Sequence, residues 1–163
     1  MANNRFRKHN GYTMIELMSV VVVIGILAAM AVPVFIRMAP RLNLKSDART
    51  SLNYLRLARS RAVAENRQYG VFFDTGNRRL ILFRDTNLPL AATYEAGQDS
   101  VVDSTEVFHN HVSFNSISFA NNAVVFFPSG AASESGTVTI NHTELARIYT
   151  INVLAATGRS TLN

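Results

Sequence analysis

From Leu17 to Ile36 the chain runs for twenty residues without a charge, and only Ser19, Gly25, Pro33 and alanines interrupt its large apolar side chains. At about 1.5 Å rise per residue, such a run crosses the roughly 30 Å hydrocarbon core of a bilayer. A soluble core helix this long with no polar face would need a larger protein around it. A cleaved secretory signal has a shorter apolar region of about 7 to 15 residues and a small-residue site, whereas this run leads into Arg37-Met38-Ala39-Pro40-Arg41. The run therefore reads as a single membrane-spanning helix. Arg5, Arg7 and Lys8 precede it with no acid among them, so the N-terminus is expected in the cytoplasm and the bulk of the chain across the membrane. About 125 residues follow Arg37, enough for a domain with its own core.

Charge narrows the partners less than the high pI suggests. The formal charge is +5, but from Tyr12 onward thirteen basic residues face eleven acidic ones, a weak case for a polyanionic partner. There is no cysteine, so no disulfide is expected even in a compartment that would permit one.

Beyond Pro33 the helical pattern continues. Ala48, Leu52, Leu55, Ala58 and Ala62 fall on one helical face, with Arg49, Arg56, Arg59 and Arg61 mostly off it. A narrow, alanine-rich face is suited to close packing on a sheet, and Asn66 offers a stop. Thr13 to Glu65 thus reads as one helix more than about 70 Å long, bent or interrupted at Pro33 and Pro40. The period then changes to two. "QYGVFFD" and "RRLILFRD" flank Thr75-Gly76-Asn77 as a hairpin, and "VFHNHVSF", "ISFA", "AVVFFP", "GTVTIN" and "ARIYTINVLA" follow as strands. Between them, Asp85 to Glu106 holds five acids, no base and Pro89, an acidic loop with room for a small strand. The expected class is α+β: a long N-terminal helix, membrane-spanning in its first half, packed on an antiparallel β-sheet head.

Gly11-Tyr12-Thr13-Met14-Ile15-Glu16-Leu17-Met18, behind a short basic leader and ahead of a long apolar helix, resembles the prepilin N-terminus of type IV pilins and type II secretion pseudopilins. Tyr12 stands where Phe is usual and Met14 where Leu is usual. "AVVFFPSGAASESGTVTIN" followed by "RIYTINVLAATGRSTLN" resembles the GspH/FimT-type head domain of minor pilins. The resemblance implies cleavage between Gly11 and Tyr12 by a prepilin peptidase, and N-methylation of the new Tyr12 amine by the same enzyme. It also implies assembly with other pilins, Glu16 meeting the Tyr12 amine of a neighbour. A carboxylate near the membrane core is costly unpaired, which makes that pairing a register device; snorkelling of Glu16 to the head groups is the alternative. For Gly25 and Pro33 the two readings are a helix segment that unwinds on leaving lipid, and a tolerated glycine beside a static kink. The expected organisation is a cleaved leader over 1–11, the span over 12–36, an amphipathic helix over 37–66 and a β-rich periplasmic head over 67–163.

Some pilus-associated relatives carry a terminal Gly-Arg-x-Arg element that contacts DNA. Gly158 and Arg159 match it, but Thr161 replaces the second arginine. One cation releases few counterions, so Arg159 is a weak candidate for DNA contact and DNA is not an expected partner. Arg37, Arg41, Lys45 and Arg49 step by four along the helix and read as a solvated basic stripe near lipid phosphates. His109 and His111 would share one side of a strand, yet no third ligand accompanies them, and no metal or cofactor is expected. Ser133 and Ser135 lie in no nucleophile motif, so the chain is not expected to be an enzyme. The leading reading is a structural assembly subunit of a type II secretion pseudopilus or type IV pilus, starting in the inner membrane. A fibre-tip module for DNA uptake or a surface ligand, and a membrane-anchored periplasmic enzyme or sensor, are the alternatives.

Overall fold

The computed structural model describes residues 11–86, 92–105 and 108–163; the expected leader up to residue 10, and Pro89 and Glu106 of the acidic loop, lie outside them. One helix, α1 (Met14–Glu65), precedes eight strands: β1 (Tyr69–Asp74), β2 (Arg79–Arg84), β3 (Ser100–Ser104), β4 (Val112–Ile117), β5 (Ala123–Phe126), β6 (Gly136–His142), β7 (Leu145–Leu154) and β8 (Arg159–Leu162). By internal packing the chain divides between Ala39 and Pro40. The helix runs without a break through Pro33 and Pro40, so the expected interruption does not occur. A proline costs its helix one N–H bond, and the remaining ladder carries the helix past it.

In the first unit, the helical residues from Met14 to Ala39 are all exposed. In the second unit α1 buries Leu44, Ala48, Leu52, Leu55, Ala58 and Ala62, the expected face extended by one turn. Asp47 and Ser51, polar residues that the pattern did not place inside, are buried too. Ser51 Oγ donates to the Asp47 carbonyl at 2.9 Å. The helix stops at Asn66, which takes a left-handed φ of 52°, while the Arg67 N–H reaches back to the Ala62 carbonyl at 3.2 Å in the manner of a Schellman cap. Tyr69 Oη then donates to the Glu65 carboxylate, fastening the first strand to the last helical turn. Burial, with that carboxylate beside it, pushes the Tyr69 pKa above its ordinary value.

The head holds two antiparallel sheets rather than the single one expected, in the orders β3-β2-β1-β5 and β4-β6-β7-β8. The core lies among them and the helix: Val71, Phe73, Leu80, Leu82, Val124 and Phe126 from the first sheet meet Val112, Val138, Ile140, Ile151 and Val153 from the second. Phe73 stacks on Phe119 with ring centroids 5.9 Å apart and meets Phe114 edge-on at 5.7 Å, geometries that aromatic pairs favour.

The first hairpin forms as expected. Its Asp74 carboxylate accepts from the Asn77 N–H at 3.0 Å, Asn77 Nδ2 at 2.7 Å and Arg79 Nε at 3.0 Å. Desolvation raises the Asp74 pKa, but these bonds and the guanidinium charge outweigh it and leave the group below its ordinary value. The acidic segment does contain a strand, β3, at one edge of the first sheet. Its earlier part is held by Tyr94, which stacks on Phe72 at 4.8 Å and tilts against Phe83 at 5.0 Å. Phe83 can lie there because Gly70 has no side chain: a Cβ on Gly70 would come within 2.4 Å of the Phe83 ring. β8 is a strand that the sequence reading did not separate from the chain end.

Candidate assembly helix and head cleft

At its N-terminus α1 is capped by Thr13, whose Oγ1 accepts the Glu16 N–H at 3.3 Å while its carbonyl accepts the Glu16 and Leu17 N–H groups at 3.1 and 3.2 Å. Thr-x-x-Glu is capping-box spacing, and it sets the Glu16 carboxylate in the first turn, at the positive end of the helix dipole. This cap was legible in the sequence and was missed. Tyr12 and Glu16 are exposed, and a Cβ added at Gly11 or Gly25 would meet nothing within 4 Å. Packing inside the chain therefore gives neither glycine a reason to be there. Pro33 is likewise exposed.

Arg159 is not alone. A cleft of about 650 Å³ in the head is lined by Arg56, Arg59, Ser60, Val63 and Ala64 of α1 and by Gly158, Arg159, Ser160 and Thr161. Arg59 Nε donates to the Gly130 carbonyl at 3.0 Å, and no carboxylate among the described residues forms an ion pair with Arg56, Arg59 or Arg159. The same Gly130 carbonyl would lie 2.2 Å from a Cβ on Gly158, which holds a left-handed φ of 61°. The glycine of the Gly-Arg pair is thus fixed by packing, and it leaves Arg159 at the cleft. Sequence reasoning put Arg56 and Arg59 off the apolar face but had no means to set them beside a residue a hundred positions later.

The two histidines are corrected. β4 begins at Val112, so neither His109 nor His111 lies on a strand, and His111 takes a left-handed φ of 67° in the turn before it. His109 belongs to a helix contact: its N–H donates to Asp47 Oδ2 at 3.0 Å and its Nδ1 lies 2.8 Å from Asp47 Oδ1. His111 instead stands 3.3 Å from Thr143 Oγ1 and 5.7 Å, ring to ring, from His142. The serines of the β5–β6 connection serve the backbone. Ser133 Oγ accepts from the Val125 N–H at 3.2 Å and Ser135 Oγ from the Ala155 N–H at 2.8 Å.

A helix whose apolar first half is exposed and a two-sheet head invite comparison with known proteins. The family model for type II transport protein GspH matches residues 47–157. The chain belongs to the GspH family. A second model, the prokaryotic N-terminal methylation motif, matches residues 6–32, so the GspH-type head follows a pilin-type N-terminus in one polypeptide. The type IV major pilin protein PilA of Myxococcus xanthus is 44% identical over 73 residues, 44% of this chain, and the match spans a third of that relative's length. Among solved structures, the type IV minor pilin FimU of Pseudomonas aeruginosa superposes with a TM-score of 0.61 at 17% identity, covering 76% of this chain and 90% of that one. The minor pseudopilin EpsH from the type 2 secretion system of Vibrio cholerae gives 0.58 at 15% identity, over 74% and 96%. At those identities the likeness establishes the fold: this GspH-family chain has the minor pilin architecture, with an apolar helix long enough to cross a membrane.

Proposed function

We propose that the chain is a non-catalytic fibre subunit, a minor pseudopilin or minor pilin that waits in the inner membrane and is then drawn into a fibre by its N-terminal helix. The observation that carries this reading is the exposure, on every side, of the helix from Met14 to Ala39. None of its most apolar stretch is buried, and Met14, Leu17, Val21, Ile24, Leu27 and Phe35 are all more than half exposed. Water cannot be the permanent neighbour of such a surface, so it is covered by lipid before assembly and by other subunits' helices afterwards.

On this reading the basic residues 1–11 form a leader, 12–36 is the span, 37–66 carries the helix into the head and 67–163 completes it on the periplasmic side. The leader stays cytoplasmic through Arg5, Arg7 and Lys8. A prepilin peptidase cuts after Gly11, whose lack of a side chain admits the backbone to the enzyme, and methylates the Tyr12 amine. Glu16 then has two uses in sequence. In the membrane its carboxylate lies at the positive end of the helix dipole; in the fibre it receives the Tyr12 amine of the next subunit and penalises a wrong register. Gly25 and Pro33 mark a segment of low helical stability where α1 unwinds during that transfer.

Intact-mass analysis of the protein from its native host tests the reading. The expected species begins at Tyr12 and carries one added methyl group. A dominant species that retains Met1 to Gly11 would overturn it.

A further inference from the structure

The acidic segment and the arginine cleft have no role in the assembly described above, and their chemistry is complementary. Residues 40–163 carry twelve Lys and Arg against ten Asp and Glu. Within that near balance, five of the ten acids fall between Asp85 and Glu106, where there is no base. Three arginines without a carboxylate partner among the described residues converge on the cleft between α1 and β8. The head is thus nearly neutral, with half of its acids and these arginines clustered in different segments.

The cleft also has the features of a strand receptor. β8 is an edge strand, paired among the described residues only with β7. Asn163 and Thr150 exchange both of their backbone hydrogen bonds, at 3.1 and 2.9 Å. In an antiparallel ladder bonding direction alternates, so Thr161 faces β7 and the backbone groups of Ser160 and Leu162 face the open edge. Ser160 is only 5% exposed, and its Oγ has no hydrogen-bond partner among the described residues. Ser160 is also one of the residues that line the cleft. β3 presents the matching element. It is the edge strand of the other sheet, with Val101, Asp103 and Ser104 exposed.

We propose that the cleft formed by Arg56, Arg59, Arg159 and the edge of β8 receives the acidic β3 edge of a second copy of this chain, strand added to strand, with Asp103 of one copy meeting the arginines of the next. Main-chain bonds to Ser160 and Leu162 supply the affinity and the arginines select for acid. Because donor and acceptor edges lie on different sheets, the contact is head-to-tail rather than a two-fold dimer. Duplex DNA is the less suitable occupant. It needs cations spread along a phosphate track, whereas these three converge on one cleft beside a free strand edge. The inference rests on the fibre-subunit reading, yet it is tested on the purified protein whatever the processing of its N-terminus.

The test uses the full chain in detergent micelles and a fluorescent peptide of its own residues 95–106, followed by anisotropy. The peptide should bind with an affinity that falls as salt rises. Arg56→Ala and Arg159→Ala, both at exposed positions, should each weaken it about five- to tenfold, the loss expected for one charge-assisted contact. A peptide carrying D103N should lose a similar factor. Because the chain has no cysteine, Ser104→Cys and Thr161→Cys can be placed on separate copies. Oxidation of the mixture should give a crosslinked pair in excess of either variant alone. Three results would each overturn the proposal: no peptide binding, equal binding of a scrambled acidic peptide, or tighter arginine-dependent binding of a labelled DNA duplex than of the peptide. If the native protein retained its leader while the peptide still bound, the fibre-subunit reading would fail and the docking site would stand.

Discussion

Replacing Gly158 with alanine probes the contact that holds β8 against the helix. The substitution has two separable costs. A left-handed φ of 61° disfavours any residue with a Cβ by about 1 to 2 kcal/mol. The added carbon would also come within 2.2 Å of the Gly130 carbonyl oxygen and 3.1 Å of the Arg59 side chain, and forcing atoms into packed surroundings costs about 1 to 3 kcal/mol more. The Gly130 carbonyl is held by Arg59 Nε at 3.0 Å, so it cannot yield without disturbing a second bond. Gly97 is the control. It has a left-handed φ of 84° but nothing within 4 Å of a Cβ, so Gly97→Ala carries the backbone cost alone. In a fragment of residues 40–163, which includes the buried Leu44 and the whole core, 1 kcal/mol corresponds to roughly 4 °C in Tm. Thermal unfolding by circular dichroism should then show a loss of about 8 to 20 °C for Gly158→Ala, and about 4 to 8 °C for Gly97→Ala. If the two variants melt together, Gly158 is required only for its backbone angle and the argument from close approach is wrong.

Asp47→Ala should destabilise the same fragment by about 1 to 3 kcal/mol, read from denaturant midpoints, because it leaves the His109 N–H and ring without their acceptor; an unchanged midpoint would mean that water replaces the carboxylate. Tyr54 donates to Asp103 Oδ2 at 3.1 Å, and burial first, then this bond and the Asp103 charge, push its pKa from 10.0 to about 12. A raised value makes its contribution complete below the unfolded pKa and lost as pH rises through the folded one, so Tyr54→Phe should narrow the stability loss between about pH 10 and 12 in alkaline melts. Glu16→Ala should leave insertion and cleavage intact while reducing crosslinking to partner pilins; full assembly with alanine there would favour a carboxylate that only snorkels to the head groups.

What the sequence disclosed about the fold was whatever is local and periodic. The buried face of α1 was readable at Ala48, Leu52, Leu55, Ala58 and Ala62 because each lies one helical turn from the next. β1 and β2 were readable because their apolar runs flank a turn-forming Thr75-Gly76-Asn77. The pattern failed where a polar side chain is buried for a distant reason. Asp47 sits inside because His109, 62 positions later, brings it two donors, and nothing near Asp47 signals this. The division of the strands into two sheets was hidden for a related cause. Alternation says that a strand has an inner face, but β5 leaves its sequence neighbours to pair with β1, and alternation cannot say which inner face it joins.

The same distinction separates the two parts of the candidate site. The N-terminal motif is a linear signal, since a peptidase reads consecutive residues and a helix cap needs a side chain three positions from the amide it accepts; Gly11, Tyr12, Thr13 and Glu16 could be found without a fold. The cleft is assembled by the fold. Arg56 and Arg59 are set by helical periodicity and Arg159 by the register of Leu154 against it across the β7–β8 turn, and only the Gly130 carbonyl between them fixes how closely they approach. Counting cations along the sequence therefore gave one at Gly158-Arg159, while counting them around the cleft gives three. With three, a polyanion can no longer be set aside on charge number alone, and the selection between an acidic strand and a phosphate backbone passes to the open edge of β8. A strand can use both the N–H and the carbonyl groups of Ser160 and Leu162, whereas phosphates can use only the N–H groups, so the ratio of peptide to DNA affinity, more than the strength of either, reports what this cleft is built to hold.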